Sequence, residues 1–203
     1  MPTSGETHPD FCATPDALAT YGWACLNSAV SDRRSGFRTI SIANLDLNNA
    51  PDVRTVVLRD VDLVNRMIRF HTDRRASKVQ ALLKAPSVMV LGYAPELKLQ
   101  IRMSGVANVI TEGPVWIEAW QSSQHQSRAC YSVAGAPGSD ITNPSDYDIS
   151  SDFDHELASQ NFCAVQVQIS SMDALYLDRV GHRRMKADYS KTSAIPAYTW
   201  VIP

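Results

Sequence analysis

The stretch from residue 54 to residue 78 concentrates side chains able to hold an anion. Arg54 opens the run Arg54-Thr55-Val56-Val57-Leu58-Arg59, whose middle is β-branched and apolar. In a strand, Arg54 shares a face with Val56 and Leu58, and Arg59 points to the opposite face. Burying the Arg54 stem costs free energy unless its head meets an anion. Downstream, the run 71–78 (HTDRRASK) holds four cationic or titratable nitrogen side chains, His71, Arg74, Arg75 and Lys78, and two hydroxyls, Thr72 and Ser77. It lies where an expected strand passes into an expected helix. A helix N-terminus offers free N–H groups and the positive end of a dipole, so the chemistry this spacing suits is phosphate binding. A solvated charged loop uses the same residue types, and on types alone the two readings stand even.

Other candidates carry less. Asp154-His155-Glu156 has metal-ligand residue types, but adjacent residues on a helix point in different directions. Ser122, Ser123 and Ser127 lack a nucleophile elbow. His8, His125 and His182 are isolated in expected loops. Cys12, Cys25, Cys130 and Cys163 show no paired spacing, so they read as small buried or half-buried thiols, with neither a zinc site nor a disulfide framework. Trp116 and Trp120, four apart, read as packing residues on one helix face. No metal site is expected, and no side chain is assigned as a catalytic acid, base or nucleophile.

These residues need elements to position them. Thr14-Pro15-Asp16 is a helix start, followed by Leu18, Tyr21, Cys25 and Leu26 at helical spacing. Strands are expected over 38–45, 53–59, 67–72, 87–93, 97–110, 162–169, 174–178, 183–189 and 197–202. Gly105 marks a bulge, and Gly181 a turn. Helices are expected over 73–83, 111–121 and 152–160. Residues 122–150, rich in Ser, Gln, Gly, Pro and Asp, read as a long loop with room for a helical turn, and residues 1–13 as a flexible lead-in to one domain over 14–203. Many short strands with few crossover helices predict a mainly β architecture, an antiparallel barrel with peripheral helices.

The chain has 203 residues, enough for a core without staples, and 44% are hydrophobic. Its 19 Lys and Arg against 21 Asp and Glu give a net charge of −2, which makes no case for a nucleic-acid or anionic-membrane partner. The polar residues 1–10 lack the apolar core of a signal peptide, and no apolar run is long enough to span a bilayer. A soluble cytoplasmic protein is the expectation.

Taken in order, RTVVLR (54–59), FHTDRRASK (70–78) and ELKLQIRMSG (96–105) resemble the pyridoxamine 5'-phosphate oxidase-like FMN-binding split-barrel family. The wording is most similar to its pyridoxamine-phosphate-oxidase-related branch. The resemblance implies an FMN flavoprotein, a homodimer with two FMN molecules in clefts between subunits. It assigns Arg54 and Lys78 to the cofactor's phosphate end and the backbone of Thr55, Val56, Val57 and Leu58 to the ring. Arg59 stands where the family often has lysine, and His71 and Thr72 where it has a Tyr-Thr pair. It brings Gln100 from the other subunit to the flavin's polar edge. Tyr176 stands where the true oxidases have tryptophan, and its alternation with Leu175 and Leu177 suits an aromatic lining a cleft. Arg183 matches one arginine of a substrate pair whose histidine is replaced by Met185, and Arg184 is a candidate substitute for a flavin arginine that aligns with Ala187. Ser77 replaces an arginine, with Arg75 as a candidate to restore its charge. The substrate-phosphate positions fall on Ala119, Ser123 and Ser127, so poor pyridoxamine-phosphate oxidation is expected. The implied activity is an oxidoreductase acting on a small substrate. The alternative is a non-catalytic FMN or haem binder on the same dimeric scaffold, with His71 or His182 as the haem ligand.

Overall fold

The computed structural model describes residues 7–189 and 196–203. Eight strands form one antiparallel sheet: β1 (Thr39–Leu45), β2 (Pro51–Asp62), β3 (Met67–Asp73), β4 (Ser87–Ala94), β5 (Leu99–Ile110), β6 (Phe162–Tyr176), β7 (Arg183–Asp188) and β8 (Ala197–Val201). Their order is β3-β2-β1-β4-β5-β6-β7-β8, and β3 also pairs with β6. The first six strands therefore close into a barrel, and β7 and β8 extend beyond the closure. This is the expected mainly β split barrel.

Alternation drives the closure. In β4, Val88, Val90 and Ala94 are buried, whereas Met89, Leu91 and Tyr93 face out. The inward set meets Ile40 and Ile42 of β1, Leu58 of β2, Phe70 of β3, and Ile101 and Met103 of β5 in one core. Helix α1 (Pro15–Ala29) is capped by Thr14, whose Oγ1 accepts from the Ala17 N–H at 3.3 Å. Losing such a cap costs about 1 kcal/mol. Leu18, Trp23, Leu26 and Ala29 of α1 are buried against the barrel. Helix α2 (Ser77–Lys84) packs on β1 and β5. Helices α3 (Gly113–Ser122), α4 (His125–Ala129) and α5 (His155–Asn161) lie between β5 and β6.

Four expectations change. The two strands expected over 162–178 are one 15-residue strand, β6, because its first half pairs with both β3 and β5 and its second half with both β5 and β7. The register shift between Ser104 and Gly105 absorbs an extra residue of β6 at the expected bulge, and a Cβ on Gly105 would lie 2.4 Å from the Gln168 carbonyl oxygen. The helix expected from residue 73 starts at Ser77. Asp73 ends β3, and its carboxylate accepts from the Arg75 N–H at 2.8 Å, which turns the chain before the helix begins. The expected lead-in is docked where described: Phe11 stacks on Tyr21 at 3.9 Å and Cys12 is buried. Residues 1–6 of that expectation lie outside the described residues. Cys130, expected to be buried or half-buried, is exposed.

Candidate functional site

The cation cluster read from the sequence forms at the barrel mouth beneath α2. Arg54 takes the inward face of β2, in line with Val56 and Leu58. Its guanidinium donates to Asn44 Oδ1, to Asp52 Oδ2 and to the Ile42 carbonyl. Asn44 is itself buried, so one local network holds the arginine head at the mouth. Lys78, in the first turn of α2, comes close enough that Arg54 acts on its charge. Burial first, and then Arg54, hold the Lys78 ammonium below the usual lysine range. Among the described residues Lys78 has no hydrogen-bond or ion-pair partner. Ala76 provides no side-chain cap; its carbonyl accepts from the Val79 N–H at 2.9 Å, which leaves the N–H groups of Ser77 and Lys78 without an acceptor among the described residues. Thr72, in β3, is buried, and Ser77, next to Lys78 in the chain, is exposed. A partly desolvated, unpaired ammonium beside an arginine and a bare helix start suits a phosphate monoester.

Along β2 the side chains of Val56 and Leu58 point into the core, whereas Thr55 and Val57 take the outer face. Arg59 follows them, at the register shift between Leu58 and Asp60. Arg59 has no partner among the described residues, and its charge reaches His71. Ser123 Oγ donates to the Ala119 carbonyl at 2.8 Å and lies 3.2 Å from His71 Nδ1. The serine has a single proton, so Nδ1 carries the ring proton and Nε2 is the bare acceptor. That Nε2 is buried with no partner among the described residues. Burial first, then the charges of Arg59 and Arg69, push the His71 pKa down to about 3. The ring is therefore neutral at physiological pH. Sequence reasoning missed the His71–Ser123 contact, because the two residues are separated by 52 positions and nothing local signals it.

Arg75 does not stand free for a phosphate. It grips Asp73 through Nε (3.0 Å) and Nη2 (2.7 Å), and donates to the carbonyls of Val133 and Ala134. The candidate replacement charge is thus spent on an ion pair, and it ties the segment after α4 to the end of β3. Asn161 Nδ2 donates to the Tyr131 carbonyl at 2.8 Å and adds a second tie. The Asp-x-Arg spacing of residues 73–75 was the available signal for this clamp.

Strand alternation separates the remaining candidates. Gln100 lies on the outer face of β5, opposite Leu175. Arg184 faces the same way and forms a bidentate pair with Asp173, at 2.9 and 2.8 Å. Tyr176 and Arg183 face the other side. Tyr176 is buried in the core with its ring edge-on to Phe11 at 5.2 Å, so it does not line an open cleft within this chain. The structure therefore brings Arg54 to Lys78, sets Arg59 beside His71, and places Gln100 with Arg184 apart from Tyr176 and Arg183.

The weaker candidates have structural roles. Asp154 caps α5, accepting from the Leu157 N–H at 3.0 Å. His182 Nδ1 accepts from the Asp178 N–H, and His8 pairs with Asp178. The stacked rings of Trp116 and Trp120 pack on Phe162. No group of His, Cys, Asp and Glu among the described residues could hold a metal ion. No helix among them is long and apolar enough to cross a membrane.

Residues 21–111 match the family model described as "Pyridoxamine 5'-phosphate oxidase, FMN-binding domain". The pyridoxine/pyridoxamine 5'-phosphate oxidase of Caulobacter vibrioides is 28% identical over 139 residues, covering 68% of this chain and 58% of that protein. The corresponding enzyme of Chromobacterium violaceum is 31% identical over 103 residues, covering 50% of this chain and 46% of that protein. The match thus spans less than two thirds of these relatives' length. A pyridoxamine 5'-phosphate oxidase-related, FMN-binding protein of Nostoc punctiforme superposes with a TM-score of 0.73 at 19% identity, covering 98% of this chain and 100% of that one. PhzG of Burkholderia lata, solved with tetrahydrophenazine-1-carboxylic acid, gives the same TM-score and coverage at 15% identity. At these identities the two structures establish the fold, and the family resemblance read from the sequence is borne out.

Proposed function

This chain carries the split-barrel fold of the pyridoxamine 5'-phosphate oxidase-like FMN-binding proteins, and we propose that it is an FMN-dependent oxidoreductase acting, as a cytoplasmic homodimer, on a small organic substrate. The observation that carries the reading is Lys78: a half-buried cation with no hydrogen-bond or ion-pair partner among the described residues, beside Arg54 at the start of α2. A fold keeps such a charge only at a cost, and a bound phosphate offsets it.

The donor set fits FMN at both ends. Lys78, Arg54 and the bare start of α2 receive the phosphate. The outward edge of β2 from Thr55 to Val57 offers a flat β-branched surface for the ring. Arg59 and the bare Nε2 of His71 provide a donor and an acceptor for polar groups. When bound, FMN supplies two-electron redox chemistry. The chain binds and orients it, and His71, neutral and fixed by Ser123, accepts a hydrogen bond without delivering a proton.

Two features support the dimer. Gln100 begins β5, whereas α2 packs towards the far end of that strand, where the Ala107 N–H bonds the Pro86 carbonyl. One chain therefore does not bring Gln100 to its own Lys78. The outer face of β2, β1, β4 and β5 also exposes Val53 (65%), Leu91 (41%), Tyr93 (46%) and Val106 (51%), an apolar surface of the kind a second copy covers.

Pyridoxamine 5'-phosphate is disfavoured as substrate. Ala119 is buried and Ser123 is spent on the Ala119 carbonyl and His71, so two of the three positions expected to hold a substrate phosphate offer it nothing. The test is a visible spectrum of the purified protein, dialysed after FMN addition, then treated anaerobically with NADH or NADPH. Retained flavin that is bleached and recovers in air supports the oxidoreductase. Retained flavin that no donor bleaches would reduce the reading to a carrier, and a haem band or a colourless protein would overturn it.

A further inference from the structure

The connection from α1 to β1 brings a second set of cations to the end of the barrel that holds His71. Arg38 donates to the carbonyls of Ala29 and Val30 at the end of α1 and of Leu58 in β2. Arg59 follows Leu58 in the chain. Arg33 crosses to Gln124 and donates to its Oε1 at 3.0 Å. Gln124 follows Ser123, the residue in contact with His71. Arg59 and Arg33 both act on the charge of Arg38, which burial first and then these two neighbours hold below the usual arginine range. Arg59 is five residues along β2 from Arg54, about 17 Å in a strand, so this cluster stands apart from the Lys78 end.

None of these three arginines makes an ion pair among the described residues. Arg33 and Arg38 donate only to neutral oxygens, and Arg59 has no hydrogen-bond or ion-pair partner there. The carboxylates of the neighbouring elements are engaged elsewhere. Asp60 and Glu118 both hold Arg69, and Asp32 accepts from the Arg34 N–H at 2.9 Å. The charges that act on Arg38 are Arg59 and Arg33, and those that act on His71 are Arg59 and Arg69, with no carboxylate among them. The adjoining wall is aromatic: His71 and Tyr131 pack edge-on against Phe162, at 4.9 and 5.3 Å, and Arg59 acts on Tyr131 as well. Ala119, Ser123 and Ser127, where the oxidase pattern places a substrate phosphate, carry no charge. The cations here come instead from the α1–β1 connection and from β2. We propose that Arg33 and Arg59, with Arg38 adding its charge, take the carboxylate of a small aromatic acid, and that such an acid is the substrate class brought to the flavin. A planar guanidinium suits a carboxylate, and the aromatic wall suits the ring. Calling the acid a substrate rests on the flavin reading; the anion site itself does not.

The probe is 4-fluorobenzoate, observed by fluorine NMR on the full chain equilibrated with FMN, with flavin retention read on the same samples. The expected result is protein-dependent line broadening that saturates and is weaker for the neutral 4-fluorobenzamide. Charge-assisted contacts are the strong ones, so Arg33→Gln and Arg59→Gln each weaken the benzoate by about tenfold. Arg33→Gln leaves FMN binding unchanged, and Lys186→Gln, at an exposed position of β7, leaves the benzoate unchanged. Arg38 is kept, because it also holds the end of α1, and thermal unfolding of each variant checks that the fold is intact. A parent that binds the benzoate through these arginines but retains no FMN would end the flavin reading and leave the anion site standing. With FMN retained, no broadening, equal binding of benzoate and benzamide, or benzoate affinity unmoved by both substitutions would overturn the proposal. So would an Arg33→Gln protein that loses FMN as fast as it loses benzoate, because the cluster would then belong to the cofactor.

Discussion

Lys78→Met separates a binding lysine from a structural one, because the structure gives its two roles opposite signs. In the flavin-free protein the ammonium is half-buried, lies beside Arg54 and has no hydrogen-bond or ion-pair partner among the described residues, and its pKa is held down by burial and then by Arg54, against a smaller upward pull from Asp52 and Asp73. A base whose folded pKa lies below its unfolded value weakens the fold as it takes up its proton. The penalty grows as pH falls from the ordinary lysine range through the folded pKa, and is complete below it. At neutral pH the charge therefore works against folding, and methionine keeps the stem while removing it. The apoprotein should unfold at the same temperature or higher, by no more than about 1 kcal/mol for a partly exposed site. FMN binding should move the other way. A hydrogen bond to a charged group contributes about 1.5–3 kcal/mol, which at about 1.4 kcal/mol per decade is about a 10- to 150-fold weaker dissociation constant. Flavin-fluorescence quenching and thermal unfolding on the same preparations read both quantities. Arg54→Met, by contrast, breaks bonds to Asn44, Asp52 and the Ile42 carbonyl, so both should fall. An unchanged flavin affinity for Lys78→Met, or an apoprotein several degrees less stable, would refute the assignment of Lys78 to the phosphate.

Acid should destabilise the protein through His71: the unfolded ring takes its proton near pH 6.5 and the folded ring only at about 3, so the unfolded state binds more protons across that window and stability falls as pH drops through it. Between pH 7 and pH 5 this contributes at most about 2 kcal/mol, and urea midpoints at the two pH values should draw together by that amount in His71→Gln; an unaltered difference would show that the acid limb has another origin. Leu91→Lys sets a second cation opposite Arg102 in the middle of the exposed outer face, and light scattering should then report a monomer at concentrations where the parent chain is a dimer. A parent that is already monomeric while holding flavin at full occupancy would refute the dimer.

What was legible in the sequence was what short-range pattern encodes. The alternation of residues 53–59 and 87–93 fixed which side chains face the core, and Gly105 marked the bulge because a side chain there meets the Gln168 carbonyl. The run 70–78 was legible as a strand entering a helix with cations at the junction. The fate of each cation was not. Arg75 and Lys78 are three residues apart and read alike, yet Arg75 turns back on Asp73 and reaches carbonyls 58 and 59 positions away, whereas Lys78 has no partner among the described residues. Tyr176 failed differently. Alternation separated it correctly from Leu175, but a period of two does not say which of the two faces is the core. Phe11, expected to be part of a flexible lead-in, supplies the ring contact on its inner side. The unbroken β6 was hidden because Ser170, Ser171 and Asp173 look like a strand end until partners appear on both edges.

The sequence departure at Ser77 can now be weighed against the geometry. In the family pattern an arginine precedes the phosphate lysine, and its loss would matter least if a neighbour replaced its charge. Arg75 is the nearest candidate, and its donors are spent on Asp73 and on the carbonyls of Val133 and Ala134. Freeing it would break the clamp that holds the segment after α4 against β3. On the proposed reading the phosphate is therefore held by Lys78, by Arg54, which already shares its charge with Asp52, and by the start of α2. Arg54 cannot leave Asp52 without exposing that carboxylate to the incoming phosphate, so the two acids compete for one guanidinium and Lys78 carries most of the net attraction. That makes Lys78 the residue whose replacement no neighbour in the described structure can mask.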